Sequence, residues 1–176
     1  MPTTGTITID GKTVDVEGLS WMDHEFGSSF LEPGQVGWDW FSIQLDDGTE
    51  LMLYEMRRED GRRDPYTIGT IVDSTGRVSR LRVGDFSLQP LERWTSKASG
   101  ATYPIAWRIA IPAHDTVLEV RAEVPAQELR TERSARVTYW EGAIRARGTR
   151  SGRPLSGRGY LEMTGYSGRP MSEVLR

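Results

Sequence analysis

The segment Trp21-Met22-Asp23-His24-Glu25-Phe26-Gly27 sets three titratable side chains between aromatic residues. Imidazole titrates near neutrality, a neighbouring carboxylate orients it or raises its pKa, and aromatic walls exclude water, so the cluster suits proton transfer. A loop with solvated acids and a locally hydrogen-bonded histidine would present the same residues. Two further segments place acids beside aromatics. On an extended chain Tyr139 and Glu141 share one face and Trp140 takes the other; Tyr160, Glu162 and Thr164 share a face opposite Leu161 and Met163. If the Leu161 and Met163 stripe packs outward, Glu162 points into the fold; if the stripe fills the core, Glu162 is solvated. Arg57, Arg145 and Arg158 are its candidate partners.

No metal centre is expected. The chain has two histidines, His24 and His114, and His114 lies in the turn-like run Ile111-Pro112-Ala113-His114-Asp115. Adjacent residues on an extended chain face opposite ways, so Asp23, His24 and Glu25 converge on one ion only across a sharp bend. With no cysteine in the sequence, disulfides, thiolate ligands and cysteine nucleophiles are all excluded. No nucleophile elbow, phosphate loop or dinucleotide fingerprint is present, and no cofactor is expected.

The 22 basic and 25 acidic residues are spread along 176, for a formal net charge of −3. Such a balance gives no footprint for nucleic acid. No apolar run approaches the ~20 residues of a membrane helix, and MPTTGTITID lacks the basic-then-apolar order of a leader. As written the chain reads as cytoplasmic, or as periplasmic or secreted if it is a fragment of an exported protein.

The elements that must position these residues are strands. Short segments rich in β-branched and aromatic residues recur at 5–10, 14–19, 37–45, 50–58, 66–73, 77–83, 85–89, 104–111, 116–124, 126–133, 135–148 and 154–166. Between them lie Asp10-Gly11, Asp47-Gly48, Asp60-Gly61, Thr75-Gly76, Ser99-Gly100 and Ser151-Gly152, all favourable for tight turns. This spacing predicts an all-β sandwich or barrel, read as one domain over 1–176.

The clearest hairpin joins 37–45 to 50–58. A two-residue turn at Asp47-Gly48 would set Phe41 opposite Tyr54 and Trp40 opposite Glu55. One face would then carry Asp39, Phe41, Ile43, Leu45, Met52, Tyr54 and Met56, the other Trp38, Trp40, Ser42, Gln44, Leu51, Leu53, Glu55 and Arg57. Neither face is simply polar, which implies that one packs as core while the other lines a cavity or meets a second domain. Six tryptophans (21, 38, 40, 94, 107 and 140) supply either core or pocket walls.

The blocks Trp21 to Ser28, Gly37-Trp38-Asp39-Trp40-Phe41-Ser42-Ile43-Gln44-Leu45-Asp46-Asp47-Gly48, Tyr139 to Gly142 and Gly159 to Tyr166 resemble, in order, the signature blocks of the AttH-like and carotenoid 1,2-hydratase (hydroxyneurosporene synthase)-like family. The resemblance implies an antiparallel lipocalin-like β-barrel, and a two-barrel architecture of which this chain is the second half. An amino-terminal partner barrel or a homodimer would complete it. Implied too is hydratase or cyclase chemistry on a hydrophobic small molecule, an isoprenoid or polyene. By the same resemblance His24 and Tyr54 take the family's histidine and tyrosine roles, Phe26 stands where a tryptophan is expected, and Asp23 is the nearest available aspartate.

Asp23, His24, Tyr54 and Glu162 are therefore the candidate catalytic residues. Trp21, Phe26, Trp38, Trp40, Tyr139, Trp140, Glu141 and Tyr160 are candidate walls of the substrate site, in a cavity of the barrel. Two other readings fit the same residues: a noncatalytic module that binds a hydrophobic small molecule, and a structural half that works only beside a partner barrel.

Overall fold

A computed structural model of the chain describes residues 1–24, 31–131 and 137–168. Glu25, Phe26 and Gly27 of the proton-transfer segment lie outside the described residues. Among the described residues there are twelve strands: β1 (Pro2–Ile9), β2 (Lys12–Leu19), β3 (Gln35–Leu45), β4 (Glu50–Arg58), β5 (Ile68–Val72), β6 (Val78–Arg82), β7 (Ser87–Thr95), β8 (Thr102–Ile111), β9 (Thr116–Ala122), β10 (Glu128–Arg130), β11 (Thr138–Arg150) and β12 (Arg153–Thr164). Each expected segment has its strand. β7 runs beyond the expected end at 89 because Pro90 sits on an edge strand at a bulge, where its missing N–H costs no ladder bond.

Among the described residues β1 and β2 pair only with each other, through a turn in which Asp10 and Gly11 both have positive φ. The remaining ten strands form one antiparallel sheet in the order β6-β5-β4-β3-β12-β11-β9-β8-β7, with β10 on β11. Its outermost strands, β6 and β7, are consecutive in the chain and separated by four residues, with a parallel bridge from Val83 to Phe86. A connection that short forces the sheet to curl until its edges approach, giving a lipocalin-like curled barrel. Glycines permit the curvature: a β-carbon at Gly159 would lie 1.9 Å from the Ser42 carbonyl oxygen, and one at Gly148 1.9 Å from that of Val117.

The concave side of the curl is a packed core. Phe41, Ile43, Leu45, Leu51, Leu53, Trp107, Ile109, Leu118, Trp140, Ile144, Leu161 and Met163 belong to a single buried cluster. Phe41 on β3 meets Trp107 on β8 edge to face, with ring centroids 5.5 Å apart. One end is closed by a polar plug. Buried Asp39 accepts the Tyr166 hydroxyl at 2.8 Å and pairs with Arg57 at 3.1 Å, and Arg57 lies 4.0 Å over the Tyr166 ring. Burial outweighs Arg57 and raises the Asp39 carboxyl, and the Tyr166 hydroxyl is pushed well above its usual value.

The β3–β4 register differs by one residue from the two-residue turn expected at Asp47-Gly48. Phe41 opposes Leu53 and Trp40 opposes Tyr54. Leu45 and Thr49 close a three-residue loop in which only Gly48 has positive φ, and the Asp47 carboxylate accepts the Thr49 N–H at 3.0 Å. This single shift separates the two mixed faces. Phe41, Ile43, Leu45, Leu51 and Leu53 turn inward, while Trp38, Trp40, Ser42, Gln44, Met52 and Tyr54 line the convex side.

Candidate functional site

The convex face carries ordered rows of side chains set by strand pairing. In one row Glu141 (β11), Glu162 (β12), Trp40 (β3) and Tyr54 (β4) stand opposite one another in sequence across four strands. In the next Ala143, Tyr160, Ser42 and Met52 do the same, and in the third Arg121 (β9), Arg145, Arg158, Gln44 and Glu50. Alternation along β12 fixes Glu162, Tyr160 and Arg158 on this face, because Leu161 and Met163 between them fill the core.

Glu162 is neither inside the barrel nor simply solvated. Trp38 Nε1–H donates to its Oε1 at 2.6 Å. Arg57 is committed to Asp39 and to the Thr164 carbonyl. Asp23, Trp38, Trp40, Tyr54 and Glu162 together line a recess of 320 Å³. Trp38 and Tyr54 lie 6.3 Å apart with tilted rings. Trp21 covers one side of this region, its ring edge-on to Trp40 at 6.2 Å and its indole N–H donating to Asp23 at 3.0 Å. His24 is exposed and lines a neighbouring recess of 480 Å³ with Trp21, Asp23, Trp40 and Met52.

Tyr160 is partly exposed beside the two carboxylates. Partial burial, then the charges of Glu141 and Glu162, raise its hydroxyl above the usual tyrosine value. The phenol therefore stays protonated at neutral pH. Glu141 and Glu162, directly opposed on adjacent strands, have backbones only about 5 Å apart, an arrangement that is repulsive when both are ionised.

Of the candidate residues named from the sequence, Asp23, Trp38, Trp40, Tyr54 and Glu162 meet in one recess, with Trp21, His24, Glu141 and Tyr160 around it. Tyr139 is on the same convex side of β11, opposite Thr164. Trp140 does not belong to the site: alternation turns it into the core, where it is fully buried and its N–H donates to the Pro125 carbonyl at 2.7 Å. Phe26 lies outside the described residues. The site is also not a cavity of the barrel, because apolar side chains occupy the interior and these recesses open on the convex face. Arg147 also lies on this face: in Arg145-Ala146-Arg147 alternation puts both arginines on one side opposite a buried alanine.

A curled antiparallel barrel with a packed interior and an acid-bearing aromatic outer face defines a lipocalin-like protein. The chain belongs to the AttH-like family, whose model matches residues 1–166. The crystal structure of an AttH-like protein from Nitrosomonas europaea is similar with a TM-score of 0.84 and 35% identity, covering 94% of this chain and 49% of that one. Kievitone hydratase from Nectria haematococca shares the fold, with a TM-score of 0.68 at 16% identity over 92% of this chain and 49% of its own. Dehydratase asqC of Emericella nidulans is 20% identical over an alignment of 171 residues that covers 92% of this chain and 47% of that protein. The chain spans just under half the length of each of these relatives.

Proposed function

We propose that the convex face carries one wall of a hydratase-type site, which adds water to, or removes it from, an apolar isoprenoid or polyene substrate. The observation that carries this reading is the Glu162 carboxylate held by the Trp38 indole N–H between Trp40 and Tyr54. In the dehydration direction Glu162 takes a proton from carbon, and the hydroxyl leaves as water with a proton supplied from the Asp23, His24 and Tyr160 side of the recess. The π faces of Trp38, Trp40 and Tyr54 stabilise positive charge as it develops on the substrate. Hydration runs the same steps backwards. Similarity to a dehydratase and to a hydratase supports the reaction class.

Because those relatives are about twice as long, the opposite wall is assigned to a partner half, either a second lipocalin-like barrel or a second copy of this chain. The apolar side chains of Leu19 and Met22, exposed beside the recesses, suit such a lid.

The test is incorporation of heavy oxygen from labelled water into prenylated phenols and linear polyenes, followed by mass spectrometry. The protein should label at least one substrate of this class, and Glu162→Gln should lose labelling while still quenching tryptophan fluorescence on ligand addition. Binding without labelling, unchanged in Glu162→Gln, would replace the enzyme with a noncatalytic binding module.

A further inference from the structure

The third row of the convex face poses a separate problem. Arg121, Arg145 and Arg158 stand directly opposite one another on β9, β11 and β12, and Arg147 lies two residues from Arg145 on the same side. Like charges facing each other across strands destabilise a sheet. Some of the repulsion is offset: Arg145 pairs with Glu123, and Arg121 pairs with Glu119 and Glu92. Glu119, directly opposite Arg147, is thereby engaged by Arg121, and Asp46 is held by Ser156. Arg147 and Arg158 make no ion pair among the described residues.

Arg145, Arg147 and Arg158 line a 770 Å³ recess whose other walls include Leu19, Trp21, Ser156 and Tyr160. Guanidinium groups with open forks recognise oxyanions, which they hold in bidentate fashion; Tyr160 offers a hydroxyl beside them, while Ser156 is engaged by Asp46, whose carboxylate also lines the recess. Leu19 and Trp21 add an apolar surface leading away from that charge, and Trp21 continues to the recess beside Asp23 and Trp40. Arg158 and Glu162 are four residues apart on one strand and one face, a separation of roughly 13 Å.

We propose that the arginine row is a head-group subsite, and that the substrate is an amphipathic molecule with an oxyanion, carboxylate or phosphate, about 13 Å from the carbon that reacts at Glu162. The position of the reacting carbon rests on the hydratase reading given above; the anion subsite does not. The head group docks on Arg147 and Arg158, the chain lies along Trp21 and Tyr160, and the far end reaches the Glu141 and Glu162 row.

The probes are decanoate, decyl phosphate and decanol, titrated below their micelle concentrations against the intrinsic fluorescence of the intact protein. At least one anionic probe should bind tenfold or more tighter than decanol, and the preference should shrink as salt is raised, because these arginines are partly exposed. Which anion gains identifies the head group. The double variant Arg147→Gln/Arg158→Gln should erase the preference and leave decanol binding unchanged. Equal affinity for all three probes, or a preference that survives in the double variant, overturns the proposal. So does salt-sensitive self-association with no anion preference, which would make the row a protein contact. Glu162→Gln separates the two readings: it should remove turnover without altering the preference, and a preference in a protein that never turns over sinks the hydratase while leaving the subsite.

Discussion

The assignment of faces on β3 and β4 can be tested by coupling between pairs of substitutions. Phe41 is fully buried against Trp107 and directly opposes Leu53, also fully buried, whereas Tyr54, one residue along, stands on the convex face against Trp38. A phenyl ring hides roughly 150–200 Å², worth ~4–5 kcal/mol of transfer at about 25 cal/mol per Å², an upper figure because unfolded chains already bury some of it. Phe41→Ala should cost about 3–5 kcal/mol and Leu53→Ala about 2–5 kcal/mol. Tyr54→Ala should cost about 1 kcal/mol, the scale of one partly exposed aromatic contact. Urea unfolding followed by far-ultraviolet circular dichroism gives each value without relying on tryptophan signals. Because Phe41 and Leu53 share one space, their double variant should depart from additivity by about 1 kcal/mol, while Phe41 with Tyr54 should add to within about 0.5 kcal/mol. If the double variant does not fold, Ile43→Val with Leu51→Ala makes the same test on the next opposed pair. Coupling of Phe41 to Tyr54 with none to Leu53 would restore the two-residue turn, break the row containing Glu162, Trp40 and Tyr54, and refute the site.

Gly159→Ala should unfold or severely destabilise the protein, since the added carbon meets the Ser42 backbone oxygen, whereas Gly5→Ala, with nothing within 4 Å, should leave the thermal midpoint nearly unchanged. Glu128 accepts hydrogen bonds from Ser96, Ser99 and Tyr103, which outweigh its burial and lower its pKa below the usual 4.5. A folded pKa below the unfolded one adds stability above the unfolded value and loses it as pH falls through the folded value. The stability gap between the protein and Glu128→Gln should therefore be largest at neutral pH and close in acid, as read from urea midpoints across pH; a gap that widens in acid would contradict the network.

Strand positions were legible because turn chemistry and β-branched runs are local signals. The β1–β2 and β11–β12 turns behaved as their dipeptides dictate, with Asp10-Gly11 and Ser151-Gly152 both at positive φ. Asp47-Gly48 did not, although its sequence suits the same turn. Its geometry is selected by residues 100 or more positions away: Arg150 donates to Asp47 at 2.6 Å, and Ser156 donates to Asp46 at 2.6 Å. No local pattern contains that information, and a one-residue slip reverses every side chain. The same slip made both faces look mixed and favoured an interior cavity. Trp140 shows the complementary limit, because a tryptophan between Tyr139 and Glu141 suits a pocket wall as well as a core until the curvature of β11 is known. The aromatic-acid residues themselves were legible, since alternation on β12 alone puts Glu162 and Tyr160 together.

Why the proposed chemistry would sit outside the barrel follows from what each side of the sheet tolerates. The interior closes around Phe41, Trp107 and Trp140, and admitting a ligand there would require expelling side chains that close packing holds in place. The convex side instead retains features that folding alone would not select: a carboxylate pair in register, arginines in register, and three tryptophans of which none is fully buried. Each of these is a cost in an isolated sheet and becomes favourable once something complementary covers it. Glu141 and Glu162 with the aromatics lie at one end of the face, and the arginines lie at the other with Glu92, Glu119 and Glu123 beside them, Tyr160 standing between. An uneven distribution of that kind is what the proposed elongated molecule with one charged end would need of this face.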